Sequence, residues 1–359
     1  GEDRALDWLR CRIMGLTAGP APQAGALSAW KKLMRIVSLI RATGFSFGRS
    51  AALTLPKGTA YVNIGQISLA LGFTFRWLDR RPDIRTTIML HDVIPLEHPG
   101  LVARSSVQFH DKMVKTTARH AHGVIVTTQS AKASVLEALR REGRDDLPSL
   151  AVSLPLDPGF DLLTTPDPEL ATRPYCVVCG AIEPRKNLGL LLKVWRELVA
   201  RLGPETPHLV VVGTPNFMGD RILAEFAASE ATAPFIHVVS GLSTPGLAVL
   251  ISGARALLMP SLAEGFGLPI LEAGALGCPV IASDIPAHRE VIGPGGTLLP
   301  PQDVAGWAAA VLAARDATQR PARRTVAEMQ AARQAFVAMI DAFLTPPLHA
   351  PQPAARRAG

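Results

Sequence analysis

The chain has 359 residues, 48% of them hydrophobic and 19% charged, with a net charge of +7. That length suits two domains of ordinary size, and no apolar run reaches the ~18–20 residues of a bilayer-spanning helix. Four cysteines are too few for a disulfide framework. An aromatic fraction of 5% without a recognised binding motif sets nucleic acid aside as a partner despite the positive charge. The acidic, polar start does not read as a signal peptide, so a cytoplasmic location is expected.

Residues 1–25 show no clear period. A helix is expected over 27–42, where Leu27, Trp30, Leu33, Met34, Val37 and Ile40 recur at helical spacing and Lys31, Lys32 and Arg35 occupy much of the rest. Residues 1–60 hold nine Lys and Arg against three acids. Such a basic helix either lies on an anionic membrane surface or packs as an ordinary domain helix with a solvated face, which is the plainer reading. Strands are expected at 52–55 and 60–63, a helix at 67–78, and a strand at 86–90 that ends in His91 and Asp92. A helix at 102–118, a strand at 124–127, a helix at 131–140 capped by Ser130 and a strand at 150–154 follow. This alternation predicts a parallel sheet covered by helices. The segment His91-Asp92-Val93-Ile94-Pro95 stands where a strand ends, and ligands bind at the carboxyl ends of such strands. A structural histidine is the alternative for His91. Thr127 to Ser130 ends the next strand and is expected to line the same cleft.

Residues 155–174 are rich in Pro, Asp and Thr and read as a linker. A strand at 175–179 then opens a second sheet. Cys176 and Cys179 have metal-like spacing, but three apart on a strand they point to opposite faces, and no second pair accompanies them. Arg185 and Lys186 follow that strand and open a helix over 188–200. Two adjacent cations at a helix start oppose the helix dipole unless an anion sits between them; a solvated helix start is the bland alternative. Strands at 208–213 and 235–239 and helices at 221–229 and 245–252 continue the pattern, with Ser240-Gly241-Leu242 after the second strand.

The most informative stretch is 256–285. A buried strand at 256–259 leads to a glycine loop, Glu264-Gly265-Phe266-Gly267. A helix starting at Pro269 carries Glu272 and stops near Gly277, and a strand follows at 279–282. The amides of Phe266, Gly267 and Leu268 lack helical partners and, with the dipole, form a site for phosphate or a polarised hydroxyl. The glycines allow close backbone approach. Glu264 and Glu272 suit a polyhydroxylated ligand, because a carboxylate accepts from sugar hydroxyls. In the bland alternative Glu272 only complements the helix N-terminus and Glu264 is a solvated loop charge. A short helix at 287–292, a strand at 297–299, a helix at 304–314 and a long helical pattern at 325–344 complete the chain. The tail, 346–359, is expected to be disordered.

Two glutamates with seven residues between them, set in EGFGLPILEA and followed by GCPVIASDIPAHREVIG, resemble the nucleotide-sugar site of retaining GT-B glycosyltransferases of family 4. The resemblance implies an α/β GT-B architecture, two doubly wound Rossmann-like domains with a cleft between them. It implies an acceptor-side domain over 1–160, a nucleotide-sugar domain over 161–324 and a helix over 325–345 crossing back to the first. It places Glu264 and His91 at the transferred sugar as the catalytic candidates, and Glu272 on the ribose. Lys186 matches the family's diphosphate lysine. The arginine common just after the glycine is Ala181 here, so Arg185 is expected to supply the second charge. The amides of Gly265, Phe266, Gly267 and Leu268 are expected to help hold the diphosphate, and Ser240, Gly241 and Leu242 to lie near the base.

No metal or other cofactor is expected. The co-substrate implied is a GDP- or UDP-linked sugar, with GDP-mannose the favoured donor and a glycan or lipid-linked molecule the acceptor. Retention of configuration and a role in bacterial envelope or exopolysaccharide synthesis are implied with it, and the basic first 60 residues add the expectation of a peripheral place at an anionic inner membrane face. One departure stands out. The early strand and Gly-rich loop with which relatives begin are not evident, so either residues 1–25 replace them or the chain is truncated at its start. Two other readings therefore accompany the first: a non-catalytic nucleotide-sugar-binding protein with a degenerate N-terminal domain, and a GT-B-fold epimerase or phosphorylase.

Overall fold

The computed structural model describes residues 3–22, 51–160 and 164–345, together with Met34, Val37 and Ser38. Apart from those three residues, the basic helix expected over 27–42 lies outside the described residues, as does the tail over 346–359.

Two parallel sheets make two lobes. The first runs β1 (Ala60–Asn63), β2 (Arg85–Met89), β3 (Gly123–Val126) and β4 (Ser149–Ala151), in that order and all parallel. Its central strands are buried on both faces, as near-continuous apolar and β-branched runs require. One face is filled by Leu69, Phe75, Met113, Val114 and Leu139. These come from helices Gln66–Leu69, Arg104–His120 and Gln129–Arg141 and from the 3-10 helix Gly72–Arg80. Two sequence expectations are corrected here. The run at 52–55 is not a strand but part of a helix, Ala51–Thr54, because period alone does not separate the two for a short apolar run. The helix expected over 67–78 is broken at Ala70 and Leu71: an α-helix ends at Leu69 and a 3-10 helix starts at Gly72, where a Cβ would stand 3.1 Å from the Thr116 hydroxyl.

The second sheet contains β5 (Tyr175–Cys179), β6 (His208–Val212), β7 (Ile236–Val239), β8 (Ala256–Met259), β9 (Val280–Ser283) and β10 (Thr297–Leu299). Its order is β10-β9-β8-β5-β6-β7. The chain winds outward from β5 to β7, then returns to β8 on the other side of β5. The loops after β5 and β8 part at this reversal and open a crevice at the carboxyl ends of the strands. Cys176 packs on one face with Trp195 and Trp307, and Cys179 on the other with Ile270 and Ala273. Burial pushes the Cys176 and Cys278 thiols up to about 12, so they behave as core side chains.

The chain's two ends are exchanged between the lobes. Helix Arg4–Ile13, capped by Asp3, buries Ala5, Leu6, Leu9 and Ile13 against Tyr175, Val210 and Val239 of the second sheet. Arg10 holds the buried Asp167 with a 2.7 Å hydrogen bond. This segment therefore belongs with the second lobe, which corrects the expectation that 1–160 form one unit. The spacing of Leu6, Leu9 and Ile13 after an Asp N-cap was the signal. Conversely, helix Val326–Leu344 begins with a Thr325–Glu328 capping box and lays Phe336, Ile340 and Phe343 on Met89, Ile125 and Val152 of the first lobe. Its Met329 packs with Leu156 and Ala275. Among the described residues, no helix is long and apolar enough to cross a membrane.

Candidate active site

The site is built where the β5 and β8 loops diverge. After β5 the chain makes a 3-10 helix, Pro184–Lys186, and Asn187 in the left-handed region (φ 53°) turns it into helix Leu188–Leu202. The Asn187 amide donates to the carbonyls of Pro260 and Pro301 at 3.0 and 2.8 Å, which stitches the two loops together. Arg185 and Lys186 are thereby aimed at the loop after β8.

The anion that their position demands is Glu264. Lys186 Nζ donates to Glu264 Oε1 at 2.5 Å, Arg185 donates to Oε2 at 2.8 Å, and the Ser261 hydroxyl donates to Oε1 at 2.7 Å. These cations and the hydroxyl outweigh the cost of burial and hold the Glu264 carboxyl down at about 2. Arg185 also donates to Glu183 Oε1 at 2.8 Å and to the Ala263 carbonyl at 2.9 Å, and Asn216 donates to Glu183 Oε2 at 3.1 Å. Sequence reasoning placed Glu264 at a sugar; in the ligand-free protein it lies between the two cations of the expected diphosphate clamp. It did not single out Ser261, Glu183 or Asn216 as partners. A buried double cation beside two carboxylates was the signal that such neutralising partners exist.

Phe266 is buried, and Gly267 has φ 103°, a conformation that favours glycine, immediately before helix Leu268–Ala275. The helix therefore starts one residue earlier than Pro269. The Glu272 side chain faces a half-buried environment on this helix, and burial, with a smaller push from Asp157, raises its carboxyl to about 7. The structure thus separates the two glutamates electrostatically: one is locked as a carboxylate, and the other is poised near neutrality.

Across the cleft, His91 and Asp92 follow β2 at its carboxyl end. Asp92 accepts from the Ile94 amide at 3.1 Å. Its Oδ2 stands 2.8 Å from where a Cβ on Gly265 would be. The His91–Asp92 turn and the Glu264–Gly265 loop are therefore brought together. His91 is half-buried, and burial lowers its imidazole below the usual range, so it is neutral at pH 7. The Thr127 and Thr128 hydroxyls donate to the Gly265 carbonyl at 3.1 and 2.9 Å. Glu290, on helix Pro286–Val291, accepts from the Gln129 and Ser130 amides at 2.6 and 2.7 Å.

Ser240, Gly241 and Leu242 form the turn after β7, with Gly241 at φ 82°. The next residue, Ser243, donates through its amide and hydroxyl to Asp3 Oδ2 at 2.9 and 2.8 Å. The turn expected at the base is therefore braced by the helix at the chain's start. A cleft of about 560 Å³ opens between the lobes, lined by Pro99, Gly100, Val102, Arg104, Val107 and Gln108 from the first and by Phe217 from the second; its lining includes none of the residues of this cluster.

Known proteins bear on this geometry. Residues 173–316 match the family model "Glycosyl transferases group 1". The chain is 26% identical over 232 residues to O-antigen chain mannosyltransferase B of Escherichia coli, covering 64% of this chain and 60% of that protein. It is 38% identical over 133 residues to MMP alpha-(1->4)-mannosyltransferase of Mycolicibacterium hassiacum, covering 35% of this chain and 30% of that one. The chain thus spans less than two thirds of these relatives' lengths. The crystal structure of Anabaena Alr3699/HepE in complex with UDP-glucose superposes with a TM-score of 0.58 at 18% identity, over 79% of this chain and 77% of that one. Sucrose-phosphate synthase from Thermosynechococcus elongatus gives 0.58 at 20% identity, over 91% and 79%.

Proposed function

We propose that this chain, a GT-B glycosyltransferase of the family 4 type, moves a hexose from a nucleotide-diphosphate sugar to a glycan or lipid-linked acceptor with retention of configuration. The observation that carries this reading is the Arg185–Lys186–Glu264 cluster at the reversal point of the second sheet, facing His91 and Asp92 of the first. The hard step is departure of the anionic diphosphate from the anomeric carbon. Arg185, Lys186 and the amides of Gly265 to Leu268 are the groups that stabilise its growing charge, a term often worth several kcal/mol in a closed site. With fixed cations in that place, no divalent metal is needed. Glu264 and His91 position the sugar, Glu272 accepts from the ribose, and the turn at 240–242 meets the base. The cleft beside Phe217 admits the acceptor.

Mannose is the sugar that the names of the mannosyltransferase relatives support, one of them an O-antigen mannosyltransferase; GDP-mannose as its donor and envelope polysaccharide as the product class belong to this proposal. The UDP-glucose bound by a structural neighbour keeps UDP sugars in the test. A place at an anionic inner membrane face, reached through the basic residues of 1–60, belongs to the same reading. The test is a thermal-shift panel of GDP, UDP, ADP and their sugars, followed by nucleotide release with and without added acceptor. One nucleotide at about 100 times its Kd is expected to stabilise by about 2.7 kcal/mol, and its sugar to release nucleotide when acceptor is present, with EDTA without effect. Binding without any turnover would instead favour a nucleotide-sugar-binding protein. No response to any nucleotide would sink both.

Glu272 gives this site a pH signature. Its folded-state value, about 7, lies above its ordinary value of 4.5. Its contribution to the stability of the free protein is thus complete below pH 4.5 and lost as pH rises through 7. Ribose hydroxyls are accepted best by the carboxylate, so nucleotide affinity is expected to weaken by up to about tenfold per pH unit below 7. Calorimetric titration from pH 5.5 to 8.5 checks this. Glu272→Gln should bind weakly at every pH with no such slope; a slope that persists in the variant assigns it to another group.

A further inference from the structure

Four hydrogen bonds cross the cleft from residues 127–130: two end on the Gly265 carbonyl and two on the Glu290 carboxylate. We propose that Thr128 and Glu290 are positioning residues of the transfer reaction: they fasten the first lobe to the Glu264–Gly267 loop and hold its amides toward the donor. The inference rests on the glycosyltransferase reading above for the meaning of the loop, but not for the existence of the fastening.

Gly265 carries no side chain, and its carbonyl has two lone pairs. Both receive hydroxyls from the other lobe, Thr127 at 3.1 Å and Thr128 at 2.9 Å. Thr128 is itself fixed, because its Oγ1 accepts from the Ala131 amide at 3.0 Å as the cap of helix Gln129–Arg141. A helix cap from one lobe is thus a donor to the loop of the other.

Glu290 acts on the same helix from the opposite direction. The Gln129 and Ser130 amides are first-turn donors without helical acceptors. Glu290 takes both, at 2.6 and 2.7 Å, and its charge matches the positive end of the helix dipole. This is no ion pair between mobile side chains but a two-pronged, charge-assisted grip on backbone amides. Glu290 also shares its helix with His288 and Val291, whose atoms stand 3.5 and 3.6 Å from where a Cβ on Gly267 would lie. The His288 ring is pinned in turn, through Nδ1 to the Ser283 carbonyl at 2.9 Å. The fastening therefore meets the loop at both ends, directly at Gly265 through Thr128 and at Gly267 through the helix that carries Glu290. The amides offered to a diphosphate lie between those two points.

Hydrogen exchange of the ligand-free protein, read on peptides covering 127–131 and 263–269, tests the fastening without reference to any substrate. Glu290→Gln and Thr128→Val are expected to accelerate exchange in both peptides at least tenfold, while the core strand at 175–179 stays as in wild type. Thr128→Ser, which keeps the hydroxyl, is expected to restore wild-type protection. Unchanged exchange at 263–269 in Glu290→Gln, or equal exchange in the Ser and Val variants, overturns the proposal. A second arm measures GDP release from GDP-mannose. A drop of about tenfold or more in kcat with little change in KM for Glu290→Gln supports a positioning role; equal kcat with altered exchange overturns it. If wild type releases no nucleotide from GDP-mannose or from the UDP sugars of the panel, the activity reading fails, and the exchange arm still decides the fastening.

Discussion

Gly265→Ala is expected to slow turnover about 100-fold while leaving both lobes folded. Gly265 does not occupy the left-handed region, so the backbone itself tolerates alanine. The obstacle is space. A methyl group there would meet Asp92 Oδ2 at 2.8 Å, its Cβ at 2.9 Å and its Cγ at 3.2 Å. One of those contacts is with the root of the side chain, and rotation of the carboxylate alone does not relieve it. The first lobe has to retreat, and with it Thr127, Thr128 and His91. Misplacement of about 1 Å at a reacting centre costs on the order of 100-fold in rate. The expected result is a protein with a near-normal melting temperature, a larger radius of gyration by X-ray scattering and about 100-fold slower nucleotide release. A rate within twofold of wild type would show that the closed approach of the two loops is not the reacting arrangement.

Lys186→Ala is the second large effect, and it has two separable parts. In the free protein the substitution leaves the buried Glu264 carboxylate with Arg185 and Ser261 only. Removing one partner of a buried pair commonly costs 3–5 kcal/mol, and the remaining partners put the expected loss at about 3 kcal/mol. The Glu264 carboxyl should then titrate well above its present value of about 2. Its stabilising contribution, present above pH 4.5 and lost as pH falls through 2 in wild type, should begin to fade at a higher pH. Under the proposed function the same lysine holds the diphosphate, so the thermal shift produced by nucleotide should vanish. Glu264→Gln separates the parts, because it removes the buried charge while keeping both cations for the ligand. A Lys186→Ala protein that still responded to nucleotide as wild type does would move the diphosphate elsewhere.

Legibility in the sequence followed the chemistry of particular residues. The strand–loop–helix unit around Glu264 was readable because Pro260, Gly265, Gly267, Pro269 and Gly277 punctuate it; Gly267 and Gly277 answer to a positive φ and Gly265 to the close approach of Asp92. The adjacency of Arg185 and Lys186 announced a buried anion, although not that the anion would come from Glu264 itself. What was hidden were partners distant in sequence. Nothing local to Glu290 says that its carboxylate will meet amides at 129 and 130. The opening of the first lobe was misread for a different reason. Ala51–Thr54 is too short for a period of 3.6 to emerge over a period of 2, whereas over 67–78 the helical period was legible but the break at Ala70–Leu71 and the 3-10 winding after it were not.

The exchange of helices Arg4–Ile13 and Val326–Leu344 between the lobes has a consequence for how the molecule is made. The first helix is synthesised before any of the sheet it covers; its Asp3 and Arg10 meet Ser243 and Asp167 at sequence separations of 240 and 157. At roughly 5–20 residues per second, the ribosome takes on the order of 10–50 s to bring out that distant platform. Throughout that interval Leu6, Leu9 and Ile13 have no native surface to rest on. Assembly is thus ordered as two crossing deliveries, and a cut between the sheets yields two fragments that each lack a helix held by the other.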